Sequence, residues 1–249
     1  MSESTKAPVV IITGGLSGIG EATAVAFARL GARLVLCDLS LARQDAVVDR
    51  VHTAGGTALA VAVDVRDPER LQSVAHEALA AYGRIDALVV SAGIADQSTV
   101  SDGDPRRWQA VVETNVLGTM YACRAVLPTM RAQERGDIFL VASVSGRETY
   151  VGEPAYIASK WGQVGFAHAL RQEVMDDGVR VSLVEPGLVD SPLTRDNPVV
   201  RPLLLAAQPL VPDDVAAAIV FAFQQPPHVL MSELTVRPLR QRLPDLSER

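Results

Sequence analysis

The chain has 249 residues, 48% of them apolar and 21% charged, a balance that excludes intrinsic disorder and is sufficient for one large core. With 23 basic and 29 acidic residues the net charge is −6, without the basic footprint of a nucleic-acid binder or of a protein held on anionic membranes. The longest apolar run, Val215 to Phe223, is far below the roughly 20 residues that cross a bilayer. Met1 to Pro8 is polar and carries no secretion signal. The two cysteines, Cys37 and Cys123, form no CxxC, so the expected location is a reducing cytoplasm. Four scattered histidines (His52, His76, His168, His228) have no metal-ligand spacing, and no metal is expected.

In chain order, Val9 to Ile12 is predicted to be a strand that runs into Thr13-Gly14-Gly15-Leu16-Ser17-Gly18-Ile19-Gly20. A helix follows to about Leu30, stopped by Gly31. Arg33 to Cys37 is the second strand, Leu41 to Ala54 a helix, and Ala58 to Val63 the third strand, ending at Asp64. Asp67-Pro68 starts a helix with an acidic cap and proline in the first turn. Ala87 to Val90 is the fourth strand, ending in Ser91-Ala92-Gly93. Asp104-Pro105 opens one long helix through Trp108, Asn115 and Cys123. Ile138 to Ala142 is a strand, Pro154 to about Asp177 a helix, and Val179 to Val184 the sixth strand. Pro212-Asp213 opens a last helix before a final strand, Leu234 to Val236. Near-continuous apolar strands alternating with helices imply a Rossmann-like, doubly wound parallel sheet in a three-layer α/β/α domain. The whole chain reads as this single domain. Residues 7–190 form its core, 191–212 a Pro- and Leu-rich lid over the substrate, and 213–249 a closing helix, strand and tail.

Gly14, Gly18 and Gly20 follow a strand and open a helix, where backbone N–H groups and the helix N-terminus can cradle a pyrophosphate. Ser17 and Ile19 belong to the same turn. Asp38, at the end of the second strand, can accept from both ribose hydroxyls of an adenosine and would repel a 2′-phosphate. The alternative is a helix cap. Ser17 and Leu39 occupy positions where a 2′-phosphate would need a cation, so NAD is expected over NADP by at least about tenfold, from a charged hydrogen bond of roughly 1.5–3 kcal/mol. Arg43 is the residue that could reverse this preference. Asp64 could meet the adenine amino group beside the Val65 backbone, or could be a plain turn residue.

Tyr156 and Lys160 lie one helical turn apart on one face. A nearby ammonium stabilises phenolate; a fall of the phenol from about 10 to about 7 corresponds to roughly 4 kcal/mol and would suit acid/base work near neutrality.

Thr13-Gly14, Gly18-Ile19-Gly20, Asn115, Ser143, Tyr156 with Lys160, and Pro186-Gly187 occur in the order and at the spacing of the short-chain dehydrogenase/reductase family, which the chain resembles over about residues 7–192. The resemblance implies that Tyr156 is the proton donor/acceptor at the substrate oxygen, Lys160 holds the nicotinamide ribose, Ser143 hydrogen-bonds the substrate, and Asn115 supports a water in a proton relay. It also implies that Ser91, Ala92 and Gly93 lie against the cofactor and that Pro186, Gly187, Val189 and Ser191 line the nicotinamide. Ser145 stands close enough to be confused with Ser143, whose 13-residue separation from Tyr156 is that of the family. Ser143 could instead be a strand-end cap, and Asn115 a helix residue bonded to its own backbone. Val90-Ser91 replaces the family's usual Asn-Asn, which braces the central sheet. The segment Glu233 to Pro238 resembles a branch with hydroxy-acid and serine dehydrogenases and some aldehyde reductases, often NADP-linked; Asp38 points the other way.

The leading expectation is an NAD-dependent oxidoreductase for a secondary alcohol/ketone or hydroxy-acid-like substrate. The alternatives are an NADPH-dependent 3-oxoacyl-carrier-protein or other carbonyl reductase, and a non-catalytic nucleotide sensor. Val144, Ser145, Glu148, Tyr150, Val151, Glu153, Leu188 and Leu193 are expected around the substrate, with one or two carboxylates at the mouth. Trp161, Val164, Phe166 and Leu170 give the Tyr156 helix more apolar surface than one sheet face covers, consistent with the homotetramers or dimers that the resemblance implies.

Overall fold

A computed structural model describes residues 7–195, 197, 200, 201, 204 and 208–241. Seven parallel strands form one sheet: β1 (Val9–Thr13), β2 (Arg33–Asp38), β3 (Thr57–Ala62), β4 (Ala87–Val90), β5 (Gly136–Val141), β6 (Val179–Pro186) and β7 (Glu233–Val236). Their order is β3-β2-β1-β4-β5-β6-β7. The chain winds outward from β1 to β3, returns to β4 beside β1, and winds the other way. The loops leaving β1 and β4 therefore diverge and open a crevice at the carboxyl ends of the strands.

The helices are α1 (Gly18–Ala28), α2 (Gln44–Thr53), α3 (Pro68–Tyr82), α4 (Pro105–Val112), α5 (Gly118–Ala132), α6 (Pro154–Val174), the short α7 (Pro192–Arg195) and α8 (Pro212–Phe223). Two starts follow the expected chemistry: the Asp67 carboxylate accepts from the Arg70 N–H at 2.9 Å and Asp104 from the Arg106 N–H at 2.9 Å, each with proline in the first turn. Alternation along β1 divides the core. Val10 and Ile12 pack with Phe27, Val47 and Ile219 on one side, while Ile11 packs with Leu71, Val126 and Leu170 on the other. An edge-to-face contact of Phe27 with Phe223, centroids 5.0 Å apart, seals α1 against α8.

Three expectations are corrected. The long helix from Pro105 is interrupted by a π-turn, Glu113–Leu117, between α4 and α5. The helix after β2 starts at Gln44 rather than Leu41. On α6, Val164 and Leu170 are buried against the sheet and Phe166 packs on the core, so only Trp161 is left as a substantially exposed apolar side chain of that set. Of the expected lid, α7 and a bridge between Val189 and Leu210 are described, with residues 196, 198, 199, 202, 203 and 205–207 outside the described residues. Residues 1–6 and 242–249, which hold most of the polar N-terminus and the tail, also lie outside them. Among the described residues no helix is long and apolar enough to cross a membrane, and no group of three or more His, Cys, Asp or Glu could hold a metal ion.

Candidate active site

The crevice holds a cleft of about 350 Å³. Every residue expected at the cofactor lines it except Gly20, Pro186, Gly187 and Val189. The glycines explain its floor. Gly14 has φ +65°, and a Cβ there would press on the Ala92 backbone; a Cβ on Gly20 would collide with the Gly14 carbonyl. Only glycines let α1 start this close to β1 and β4, and that closeness leaves the helix N-terminus facing the cleft. Asp38 stands at the opposite rim, with one carboxylate oxygen accepting from the Leu16 N–H at 3.1 Å, so the glycine turn itself orients the acid.

Arg43 points elsewhere. It pairs at 2.8 Å with Glu21, a buried acid in the first turn of α1 that also pairs with Arg50. Asp64 is engaged by Arg66 through 2.6 and 3.0 Å contacts, and this guanidinium holds its carboxyl below the usual carboxylate range. Arg66 also lines the cleft, a cation two residues beyond Asp64 that sequence reasoning missed. Where Val90-Ser91 replaces the expected asparagines, Thr13 and Asn115 do the bracing. The Thr13 carbonyl accepts from the Ser91 N–H at 3.1 Å, and the Asn115 amide holds both the N–H and the carbonyl of Ile94 at 2.9 Å. Asn115 is fully buried, sits on the π-turn, and also donates to the Ser159 hydroxyl at 2.9 Å. The widened turn brings its side chain to the loop after β4 and to α6 together.

Tyr156 and Lys160 both line the cleft, with the Lys160 ammonium 5.5 Å from the Tyr156 ring centroid. Lys160 Nζ donates to the Val141 carbonyl at 3.2 Å and to Gln163 Oε1 at 2.8 Å. Gln163 donates in turn to Thr119, and Thr119 to the Asn115 carbonyl. Gln163 was not singled out in the sequence, although it lies three residues after Lys160 on the same helix and is buried. Burial pushes the Tyr156 phenol up to about 12, against a lowering hydrogen bond from Ser143 and with the Glu153 charge adding to the rise. Burial brings Lys160 down to about 7. The expected fall of the phenol is thus absent from the protein by itself, because desolvation outweighs the lowering hydrogen bond with Ser143.

Residues 8–199 match the family model of the short chain dehydrogenases. The chain belongs to this family. It is similar to an uncharacterized oxidoreductase of Staphylococcus saprophyticus, 36% identical over 93% of this chain and 97% of the relative. An uncharacterized oxidoreductase of Listeria innocua is 31% identical over 95% and 98%. Among solved structures, a metagenomic short-chain oxidoreductase in complex with NADP matches with a TM-score of 0.81 and 31% identity over 93% of this chain and 96% of that one. Levodione reductase matches with a TM-score of 0.85 and 27% identity over 92% and 95%.

The residues expected around the substrate of this short-chain dehydrogenase divide. Leu193 alone lines the cleft, while Val151 is about half exposed and Val144 and Leu188 are buried. Neither carboxylate lines the cleft: Glu148 pairs with Arg237, and Glu153 is buried and accepts from the Tyr150 hydroxyl. Ser145, Tyr150 and Glu153 form a hydrogen-bonded chain behind Ser143. Pro186, Gly187 and Val189 lie beyond the cleft wall. The Gly187 N–H donates to Val236 at 2.7 Å, and Gln241 accepts from the Leu188 N–H at 2.9 Å while sitting where a Gly187 side chain would be. The C-terminal segment therefore fixes the turn after β6.

Proposed function

We propose that the protein is an NAD-linked oxidoreductase that interconverts a secondary alcohol and its ketone, or a hydroxy-acid-like equivalent, in the cytoplasm. The observation that carries this reading is the convergence of the glycine turn, Asp38, Tyr156 and Lys160 on one cleft. The residues fit a nicotinamide dinucleotide: glycines without side chains at the closest approach, a helix N-terminus for the pyrophosphate and a carboxylate at the far rim for ribose hydroxyls. When bound, such a cofactor supplies or takes the hydride. The protein's own task is one proton. Tyr156 gives or takes it at the substrate oxygen, Ser143 hydrogen-bonds that oxygen, and Lys160 lies over the phenol and reaches the ribose side. Asn115 keeps α6 and the β4 loop in register and, as the family resemblance implies, supports a water in the relay from Lys160.

The NAD preference rests on Asp38, and the pairing of Arg43 with Glu21 supports it by occupying the cation five residues beyond Asp38. The NADP bound to the metagenomic relative favours the other cofactor, so the decisive test is direct. Fluorescence titration of wild type should give NADH binding at least about tenfold tighter than NADPH, a gap that narrows by about that factor in Asp38→Ala. NADPH preference in wild type would overturn the assignment and turn attention to Arg43 and Arg66.

Homo-oligomers, dimeric or tetrameric, belong to the same proposal. Trp161 and Val112 are 48% and 42% exposed, on helices that neighbour one another in the fold. Light scattering of the purified protein should give a multiple of the chain mass; a monomer would refute it.

A further inference from the structure

Glu153 is 1% exposed, yet the acid/base scheme gives it no task. It is the N-cap residue of α6, and its side chain makes no capping hydrogen bond there, so the ordinary reason for an acid at this position does not apply. Both oxygens are committed. Oε2 accepts from the Tyr150 hydroxyl at 2.6 Å, and Oε1 from the Asn197 amide at 2.6 Å. A carboxylate only accepts, so the Tyr150 proton is spent on it, and the Tyr150 oxygen must accept from Ser145 Oγ at 3.1 Å. Ser145 Oγ then accepts from Ser143 Oγ at 3.1 Å, while the Ser145 N–H donates to Ser143 Oγ at 3.1 Å. The donors run in one direction, from Ser143 through Ser145 and Tyr150 to Glu153.

We propose that Glu153 is a positioning residue that sets this order, thereby fixing Ser143. The inference rests on the assignment of Ser143 and Tyr156 to the substrate oxygen. Within it, the Ser145 N–H holds Ser143 Oγ while the Ser143 proton points to Ser145 Oγ, and that proton must turn from Ser145 to the substrate for Ser143 to donate to a carbonyl oxygen. Asn197 is buried, and its Oδ1 accepts from the Val200 N–H at 3.0 Å. The negative charge also bears on two nearby phenols, raising Tyr156 and Tyr150 alike.

The test compares Glu153→Gln with Tyr150→Phe, each checked by thermal melting and NADH titration. The first readout needs no substrate: the alkaline absorbance step of tyrosinate assigned to Tyr156 by subtracting the Tyr156→Phe trace. Glu153→Gln removes the charge and should move this step down by about one pH unit. Tyr150→Phe keeps the charge and breaks the chain, so the step should not move down. The second readout is oxidation of isopropanol, cyclohexanol or lactate, whichever wild type turns over fastest with NAD⁺. Both variants should lose about tenfold in kcat with NADH affinity unchanged, in line with a displaced general acid/base partner. A Glu153→Gln protein with wild-type tyrosinate step and wild-type kcat overturns the inference while leaving the acid/base reading intact. Full turnover in Tyr156→Phe overturns the acid/base reading instead.

Discussion

Tyr156→Phe is expected to lower turnover by about 10²–10⁴-fold while leaving NADH affinity within about twofold. The substitution keeps the ring against which Lys160 lies and removes only the hydroxyl, so packing of α6 and the cleft wall persist. The two directions of the reaction should also differ in pH dependence. With the phenol up at about 12, Tyr156 is protonated across the neutral range and ready to donate, which serves carbonyl reduction. Alcohol oxidation needs the phenolate, so its rate should climb with pH. A charged Lys160 favours that phenolate, but burial lowers Lys160 to about 7, so its help fades as the solution becomes alkaline. Steady-state rates in both directions across a pH series check this. A flat oxidation profile, or turnover retained in Tyr156→Phe, would remove Tyr156 from the proton step.

The cleft was legible in the sequence because its walls are local. A buried strand that ends in glycine, and a second that ends in aspartate, each state their geometry within a few residues, and the parallel order brings them together. The same holds for Tyr156 and Lys160 on one helix. What the sequence did not disclose are pairings across distance. The π-turn at Asn115 follows from contacts with Ile94 and Ser159, 21 and 44 residues away, and helix periodicity carries no trace of them. Glu153 reads as a polar residue near a pocket, and only the placement of Tyr150 and Asn197 turns it inward. Arg43 reads as a free cation near Asp38 until Glu21 on α1 is seen to hold it. The apolar residues of α6 illustrate the converse error. A count of hydrophobic side chains on a helix cannot separate those that face the sheet, such as Val164 and Leu170, from one that faces solvent, such as Trp161.

Arg180→Ala is expected to destabilise the fold by about 3–5 kcal/mol, far from the cleft. Arg180 on β6 pairs with Asp137 on β5 at 2.7 and 3.1 Å, with both side chains largely withdrawn from water. Its remaining N–H groups donate to the carbonyls of Phe223, Gln225, Pro226 and Val229, at and beyond the end of α8. One guanidinium thus satisfies a buried acid and helix-end carbonyls that have no partner within the helix. Desolvation already raises Asp137 above the usual carboxylate value despite the guanidinium that opposes it. Without Arg180 the rise is larger and the penalty appears wherever the acid must ionise. A group raised in the folded state supports the fold below its unfolded pKa and weakens it as pH climbs through the folded value. The deficit of Arg180→Ala should therefore be largest near neutrality and shrink as the solution is acidified toward the unfolded carboxylate range. Replacing both partners by apolar residues, Asp137→Leu with Arg180→Met, should restore part of the loss, since no charge is then left buried without a partner. Urea unfolding of the single and double variants across pH measures all three statements. A single-variant loss below about 1 kcal/mol, or a deficit that grows on acidification, would show that Asp137 is not the group left exposed to the penalty.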